Sequence, residues 1–391
     1  MSGFKVFSTG QDLDTLFERR TILDPSAQYI VAYTTSDKKS LSERYLPYTS
    51  GTKVATTGFR MIDASGNAQD INNYFSPVII PAWSNYGYPQ LGTGSSVRAI
   101  HINNGDIYTG GSSTDGLKRY RNGTWTTIMN TNGMIWAVHS DGGNDLYVGG
   151  SFTQVNSVSY NYIVRYDISN GTINNLGSAS TNGTVRAIYA LDASRIYVGG
   201  QFTTVAGVAC NSASIYNKNS NTWNTSVFGV PSEIYAMTYY NGYLYLVGYL
   251  ANLLRLDTNT NVLTILANLG ATHGGPHIRG ISVLSETSIY IASGWGLWKW
   301  NGTTVTPLYT AAYCQSIFAY NENNIFVGTG ASTNWLAKYN GSTLTTYNNG
   351  VQDAVHVILA LSNKKIFVGG DFDYVNAGGT SVAASGFAFN G

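Results

Sequence analysis

Along most of the chain, short apolar runs alternate with turns rich in Gly, Asn and Asp, a strand pattern rather than a helical one. One phrase recurs: an apolar strand, a turn, then an aliphatic residue, Tyr or Phe, a third residue and Gly-Gly or a near variant. Its copies are IYTGG (107–111), LYVGG (146–150), IYVGG (196–200), LYLVG (244–248), IYIAS (289–293), IFVGT (325–329) and IFVGG (366–370). Their first residues are 39, 50, 48, 45, 36 and 41 apart, close to the roughly 40–50 residues of a propeller blade.

Each unit carries four strands. A first strand such as VRAIHI (97–102) or VRAIYAL (185–191) precedes the Tyr-Gly-Gly strand. A third, such as LKRYRNG (117–123), and a fourth, such as TWTTI (124–128), follow. Asn-Gly at 122–123, 301–302 and 340–341 separates third from fourth strands. That pair suits a type I′ turn, where both central residues need positive φ. The paired glycines end a strand where a side chain would crowd the neighbouring backbone. The prediction is an all-β fold, a seven-bladed β-propeller of four-stranded blades over residues 81–391. The last unit ends on VAASGFAFNG (382–391), a third strand without a fourth. Residues 82–91 supply the missing strand, because Trp83 matches the column of Trp125 and Trp223. Exchange between chain segments closes the ring and removes an exposed edge. The repeat resembles kelch-type and related propellers with a Gly-Gly signature, although here the aromatic precedes the glycines. Such a fold does not by itself give a function.

Residues 1–80 follow another plan. They hold 16 charged residues in 80, against 27 in the remaining 311, with the change falling at SPVIIPAW (76–83). FKVFSTGQDLDTLF (4–17), YIVAYTTSDKKSLSERY (29–45) and FRMIDASGNAQDINNYF (59–75) each read as strand, polar turn and short helix. Asp12, Ser40 and Asp70 are the helix caps, and Ser40 with Glu43 makes a capping box. Units this small cannot hold a core alone, so they are expected to dock on each other, the propeller or a partner. Phe4, Leu13, Phe17, Phe59, Ile71 and Phe75 are the candidate docking residues. The phrases FKV…GQDLDTLF and YTSGTKVATTGFRM (48–61) are similar to short tandem repeats in structural and uncharacterised proteins of large double-stranded DNA viruses of algae and protists. The middle copy departs at Arg44, where a hydrophobic residue is expected. The resemblance implies a virion component of minor capsid, vertex or fibre type, assembled in the host cytoplasm.

Composition narrows the function. Charged residues are 11% and the formal net charge is +1. A phosphate-driven nucleic-acid binder normally carries a basic excess. No apolar run approaches the ~18 residues of a membrane-spanning helix, and the first residues lack the apolar segment of a signal peptide. Cys210 and Cys314 are too far apart in sequence for a disulfide framework and read as buried free thiols.

Candidate chemistry is sparse. No GxSxG, HExxH or phosphate-binding loop occurs, so no catalytic residue, cofactor or metal is expected. His273 and His277 flank a Gly-Gly-Pro turn, and DFDYVN (371–376) aligns with SFTQVN (151–156) as a repeat turn rather than a calcium loop. One column stands out. The second position of the first strand reads Arg98, Trp136, Arg186, Tyr235, Arg279, Gln315 and His356. First strands line a propeller's channel, so this column is expected to form a polar ring suited to an anion or a carboxylate-bearing sugar. The regular tyrosines, Tyr108, Tyr147, Tyr197, Tyr245 and Tyr290, read as inter-blade core. The functional expectation is a non-enzymatic structural and interaction protein whose partners are other structural proteins or sister subunits. The alternatives are a glycan-binding propeller for host attachment, and a propeller hydrolase or lyase built on two carboxylates.

Overall fold

The computed structural model describes residues 60–62, 68–70, 83–85, 87–89, 95–177, 180–226, 233–249, 252–270, 277–310, 313–330, 335–347, 351–362, 365–377 and 380–390. The chain divides into two units, Met1–Ile80 and Pro81–Gly391. In the first, Arg60–Ile62 pairs antiparallel with Ala68–Asp70. A second strand therefore occupies part of the stretch expected as a polar turn, and Asp70 ends it. The helices expected over Leu13–Phe17 and Ile71–Phe75 lie outside the described residues, as do Phe4, Leu13, Phe17, Phe59, Ile71 and Phe75.

The second unit is a seven-bladed propeller. Six four-stranded antiparallel sheets are joined by a seventh of three strands, all in up-and-down order. The seven inner strands are Val97–Asn103, Ile135–Ser140, Val185–Ala190, Ile234–Tyr240, Ile278–Ser285, Cys314–Asn321 and Val355–Ala360. Each packs against the inner strands of its two neighbours, and the seventh against the first. The wheel is closed by the segment around Trp83. Ser84 and Phe389 exchange backbone hydrogen bonds of 2.8 Å in both directions. This antiparallel register carries Trp83 opposite Asn390, the position that Tyr120 and Tyr216 hold opposite Trp125 and Trp223. Trp83 is fully buried beside Tyr347, Val368 and Phe326. Among the described residues of 82–91, the latch consists of one bridge at Ser84 and of Tyr88, whose ring lies 5.0 Å from Phe387 and 4.8 Å from Trp125. Tyr88 thereby staples the last blade to the first.

The Gly-Gly phrase has a packing cause. A Cβ on Gly149 would sit 2.4 Å from Val185 on the next blade's inner strand, and one on Gly150 would sit 2.1 Å from the Met134 carbonyl oxygen. The first glycine admits the neighbouring blade and the second admits the backbone entering its own. The tyrosine before them fills the seam. Tyr108, Tyr147, Tyr197, Tyr245 and Tyr290, with Phe326 and Phe367, are the largest fully buried side chains of this column. Cys210 and Cys314 are both buried.

Two local expectations change. Asn122-Gly123 has the positive φ pair of a type I′ turn, but at 301–302 and 340–341 only the glycine does. There the asparagine side chain holds the turn instead: Asn301 Oδ1 accepts from the backbone N–H of Thr303 and Thr304, and Asn340 Oδ1 from Ser342 and Thr343. The stretches beginning SFTQVN, QFTTVA and DFDYVN are not plain turns. Each opens a small hairpin between the second and third strands of its blade: Gln154–Val155 with Val158–Ser159, Thr204–Val205 with Val208–Ala209, and Tyr374–Ala377 with Thr380–Ala383. Their shared Phe and Val columns persist because Phe152, Phe202, Phe372, Val155, Val205 and Val375 anchor the hairpins in the core.

Candidate functional site

Every inner strand carries the same irregularity. Its pairing with the second strand shifts register between its first and third residues, in all seven blades. The skipped residue is in turn Arg98, Trp136, Arg186, Tyr235, Arg279, Gln315 and His356. A bulged residue leaves the ladder and its side chain is re-aimed. Here all seven turn to the channel axis and line one cavity of about 90 Å³. The structure thus brings the whole predicted column together. The mouth lies at the face where inner strands begin and second strands end, as the pairings Val97 with Gly111 and Val355 with Gly370 require.

The charges at the mouth are unequally matched. Asp371, which follows the Gly-Gly of the last blade, accepts from Arg98 Nη2 at 3.0 Å, from Ser96 Oγ at 2.5 Å and from His356 Nε2 at 2.7 Å. Burial pushes its carboxyl up, but the bonds from His356 and Ser96 and the charge of Arg98 outweigh it and hold it down at about 2. Burial lowers the His356 imidazole, and Asp371 offsets this only in part. Glu233, just before its inner strand, accepts from Tyr235 Oη and from Gln201 Nε2, both at 2.7 Å. Burial and the bond to Glu233 push the Tyr235 phenol to about 12, so it donates as a neutral hydroxyl. Arg186 donates to Gln201 Oε1 at 3.1 Å, and its buried Nε has no partner among protein groups. Arg279 has no carboxylate partner among the described residues; its guanidinium lies 5.6 Å from the centre of the Tyr313 ring. Burial disfavours the charge on both Arg98 and Arg186, and Arg279 adds repulsion to each.

The aromatic members serve the arginines. Trp136 lies beneath the guanidinium of Arg186 at 4.5 Å and that of Arg98 at 5.2 Å, and Tyr235 is 5.2 Å from Arg186. These stacks fix the cations in place.

Sequence reasoning missed Asp371, Glu233 and Gln201. The signal was available: the residue after each Gly-Gly, and the residue before each inner strand, flank the bulge across the antiparallel pair. A hollow of about 460 Å³ beside the second blade's hairpin is lined by Asn130, Thr131, Asn132, Gln154, Asn156 and Ser157. Asn132 and Asn156 already brace the hairpin backbone, so it is a gap between structural bonds. Among the described residues no group of three His, Cys, Asp or Glu is placed to hold a metal ion.

A second layer of the channel titrates. His101, His139, Tyr189 and Tyr239 stack in series at 4.9, 4.5 and 5.7 Å. His101 Nε2 accepts from the Ser140 backbone N–H, and His139 Nδ1 from that of Ala190, so both rings are held neutral. Burial lowers them to about 4 and about 3. Unfolding lets each rise to an ordinary imidazole value near 6.5. Between those limits the unfolded chain binds more protons, so this stability is complete above about pH 6.5 and is lost as pH falls toward 4 and then 3. Each such proton adds about 1.4 kcal/mol per pH unit of slope. Asp371 acts in the same direction, but only from about pH 4 down to 2. Urea midpoints measured between pH 7 and 4 are expected to fall with pH. Replacing His101 and His139 by Tyr, the residue of the same column at Tyr189, should flatten the profile; an unchanged slope would refute this account.

A family profile described as the Rax2 C-terminal beta propeller domain matches residues 179–274, which span the third and fourth blades. No curated protein matches the chain. Among solved structures, the extracellular domain of the putative hybrid two component system BT4673 from B. thetaiotaomicron is similar at 16% identity and a TM-score of 0.56, over 76% of this chain and 38% of that one. The chain therefore spans well under half the length of that protein. U3-55K is similar at 9% identity and a TM-score of 0.56, over 77% of this chain and 96% of that one. The RRP9 WD40 repeats are similar at 10% identity and a TM-score of 0.54, over 77% and 95%. At these identities the likeness is one of fold.

Proposed function

We propose that this chain is a non-enzymatic interaction protein whose propeller presents the mouth face to a partner protein. The observation that carries the reading is where exposed apolar side chains lie. Among the described residues, Val158, Val208, Tyr249, Trp295 and Tyr374 belong to connections between second and third strands, which open on that face, whereas the opposite turns expose Val262, Tyr320 and Leu361, and Ile265 lies on an outer strand. Exposed apolar residues gathered on one side, rimmed by polar groups, are the usual mark of a contact surface. The similar folds include extracellular and WD40 domains, in keeping with a platform. The finer reading is a virion component: residues 1–80 dock it to other structural proteins or sister subunits, and the propeller faces outward. It rests on the sequence resemblance of residues 4–75.

Against the hydrolase alternative, the cavity lining contains no carboxylate, and Asp371 and Glu233 at its rim are both engaged by donors. Against a glycan seated in the mouth itself, the rings of Trp136, Tyr235 and Tyr313 there already carry guanidiniums. Cross-linking mass spectrometry on the native assembly is the test. Cross-links to a partner are expected from the connections around residues 158, 208, 295 and 374, and to a particle protein from residues 1–80. Contacts confined to the outer strands or the opposite face would overturn the platform, and absence from particles would overturn the virion reading.

A further inference from the structure

Resting on the reading of the mouth face as a protein contact, the geometry points to what sits at its centre: the carboxylate of a Glu or Asp side chain on a projecting partner loop, held by Arg279 and Arg186. Three guanidiniums converge on one cavity, and only Arg98 is neutralised by a directly bonded carboxylate. Glu233 is occupied by Tyr235 and Gln201. Arg186 keeps a buried Nε without a protein partner, and Arg279 makes no hydrogen bond to a protein group among the described residues. An incoming anion relieves the mutual repulsion of these cations and satisfies their open donors. The guanidinium fork matches a planar carboxylate.

Size and surroundings narrow the ligand. The cavity is small, about 90 Å³, and its open guanidinium donors suit a compact planar anion such as a carboxylate. The arginines are positioned by Trp136, Tyr235 and Tyr313 rather than free to sweep. On the same face Val158, Val208, Tyr249, Trp295 and Tyr374 are exposed, apolar ground for the backbone and neighbouring side chains of a loop whose acidic tip enters the mouth.

The intact chain is titrated with a capped Gly-Glu-Gly tripeptide, with its Gln counterpart, and with inorganic sulfate and phosphate, followed by calorimetry and thermal shift. Saturable binding of the Glu peptide is expected, at least about tenfold tighter than the Gln peptide. Arg279→Gln should weaken it by a similar factor without lowering the melting temperature, since Arg279 is exposed. Arg255→Gln, which breaks the outlying pair with Glu286, should leave binding unchanged. Equal binding of both peptides, saturable sulfate or phosphate binding without Glu binding, or no saturable binding at all would each overturn the proposal. A native partner that still binds the Arg279→Gln chain overturns the central carboxylate while leaving the platform reading intact. Glu-peptide binding by a chain that captures no partner supports the site and counts against the platform alone.

Discussion

Trp83→Ala should be among the most damaging single changes, costing about 3–5 kcal/mol, the usual range for truncating a buried Trp. Trp83 is 0% exposed and supplies the body of the segment that completes the seventh blade. Its loss removes that contact and loosens the Ser84–Phe389 exchange. The outer edge of Phe387–Asn390 would then stand open, with backbone groups ready to pair with another chain. Equilibrium denaturation should show the drop in stability, and light scattering near the midpoint should show association. Trp125→Ala, at a half-buried position of the same column, should cost less and leave the wheel closed. If both variants were equally mild, Trp83 would not be the closing element.

Asp115→Ala should cost a comparable ~3–5 kcal/mol, because it leaves a buried charge without its partner. Asp115 and Lys118 are 1% and 2% exposed, with Nζ 3.8 Å from Oδ1. The carboxylate also accepts from the Ser96 backbone N–H at 3.0 Å and from the hydroxyls of Ser95 and Ser112. It ties the first blade's turn to the strand that enters it. Lys118 Nζ donates a hydrogen bond to the Asp115 backbone carbonyl and stands 5.8 Å from the centre of the Tyr88 ring. Burial pulls its ammonium down, against the pull of Asp115. A fall in melting temperature on the order of 10 °C is expected for a domain of this size. Adding Lys118→Met should recover part of it, since an apolar replacement relieves the stranded cation. A double variant no better than Asp115→Ala would show that the serine bonds, rather than the ion pair, carry the effect.

The propeller was legible because each blade restates the same packing problem. Gly149 and Gly150 read as a motif since a Cβ at either place collides with an adjoining strand, and Tyr147 and Tyr197 recur because every seam needs the same filler. The ring of Arg98 through His356 was legible for the same reason: aligned repeats put aligned residues on one axis. The carboxylates that decide its charge were not. Asp371 looked like part of a repeat turn, and it reaches Arg98 across 273 positions of sequence. Only the antiparallel register shows that the residue after Gly-Gly meets the bulge. The bulge itself was invisible, because simple alternation places the second residue correctly while misplacing everything beyond the third. The hairpins after Phe152, Phe202 and Phe372 were also missed, although the longer spacings of 50 and 48 marked two of them.

The seven skipped residues sit outside both the ladder and the seams. Substitution there leaves the backbone ladder and the seam tyrosines in place, although Arg98 and His356 also bind Asp371 between the first and last blades. Recognition and foldedness are thus written in largely separate sets of positions. A lineage, or an engineer, can redraw what the hub selects one letter at a time while the wheel around it keeps its shape.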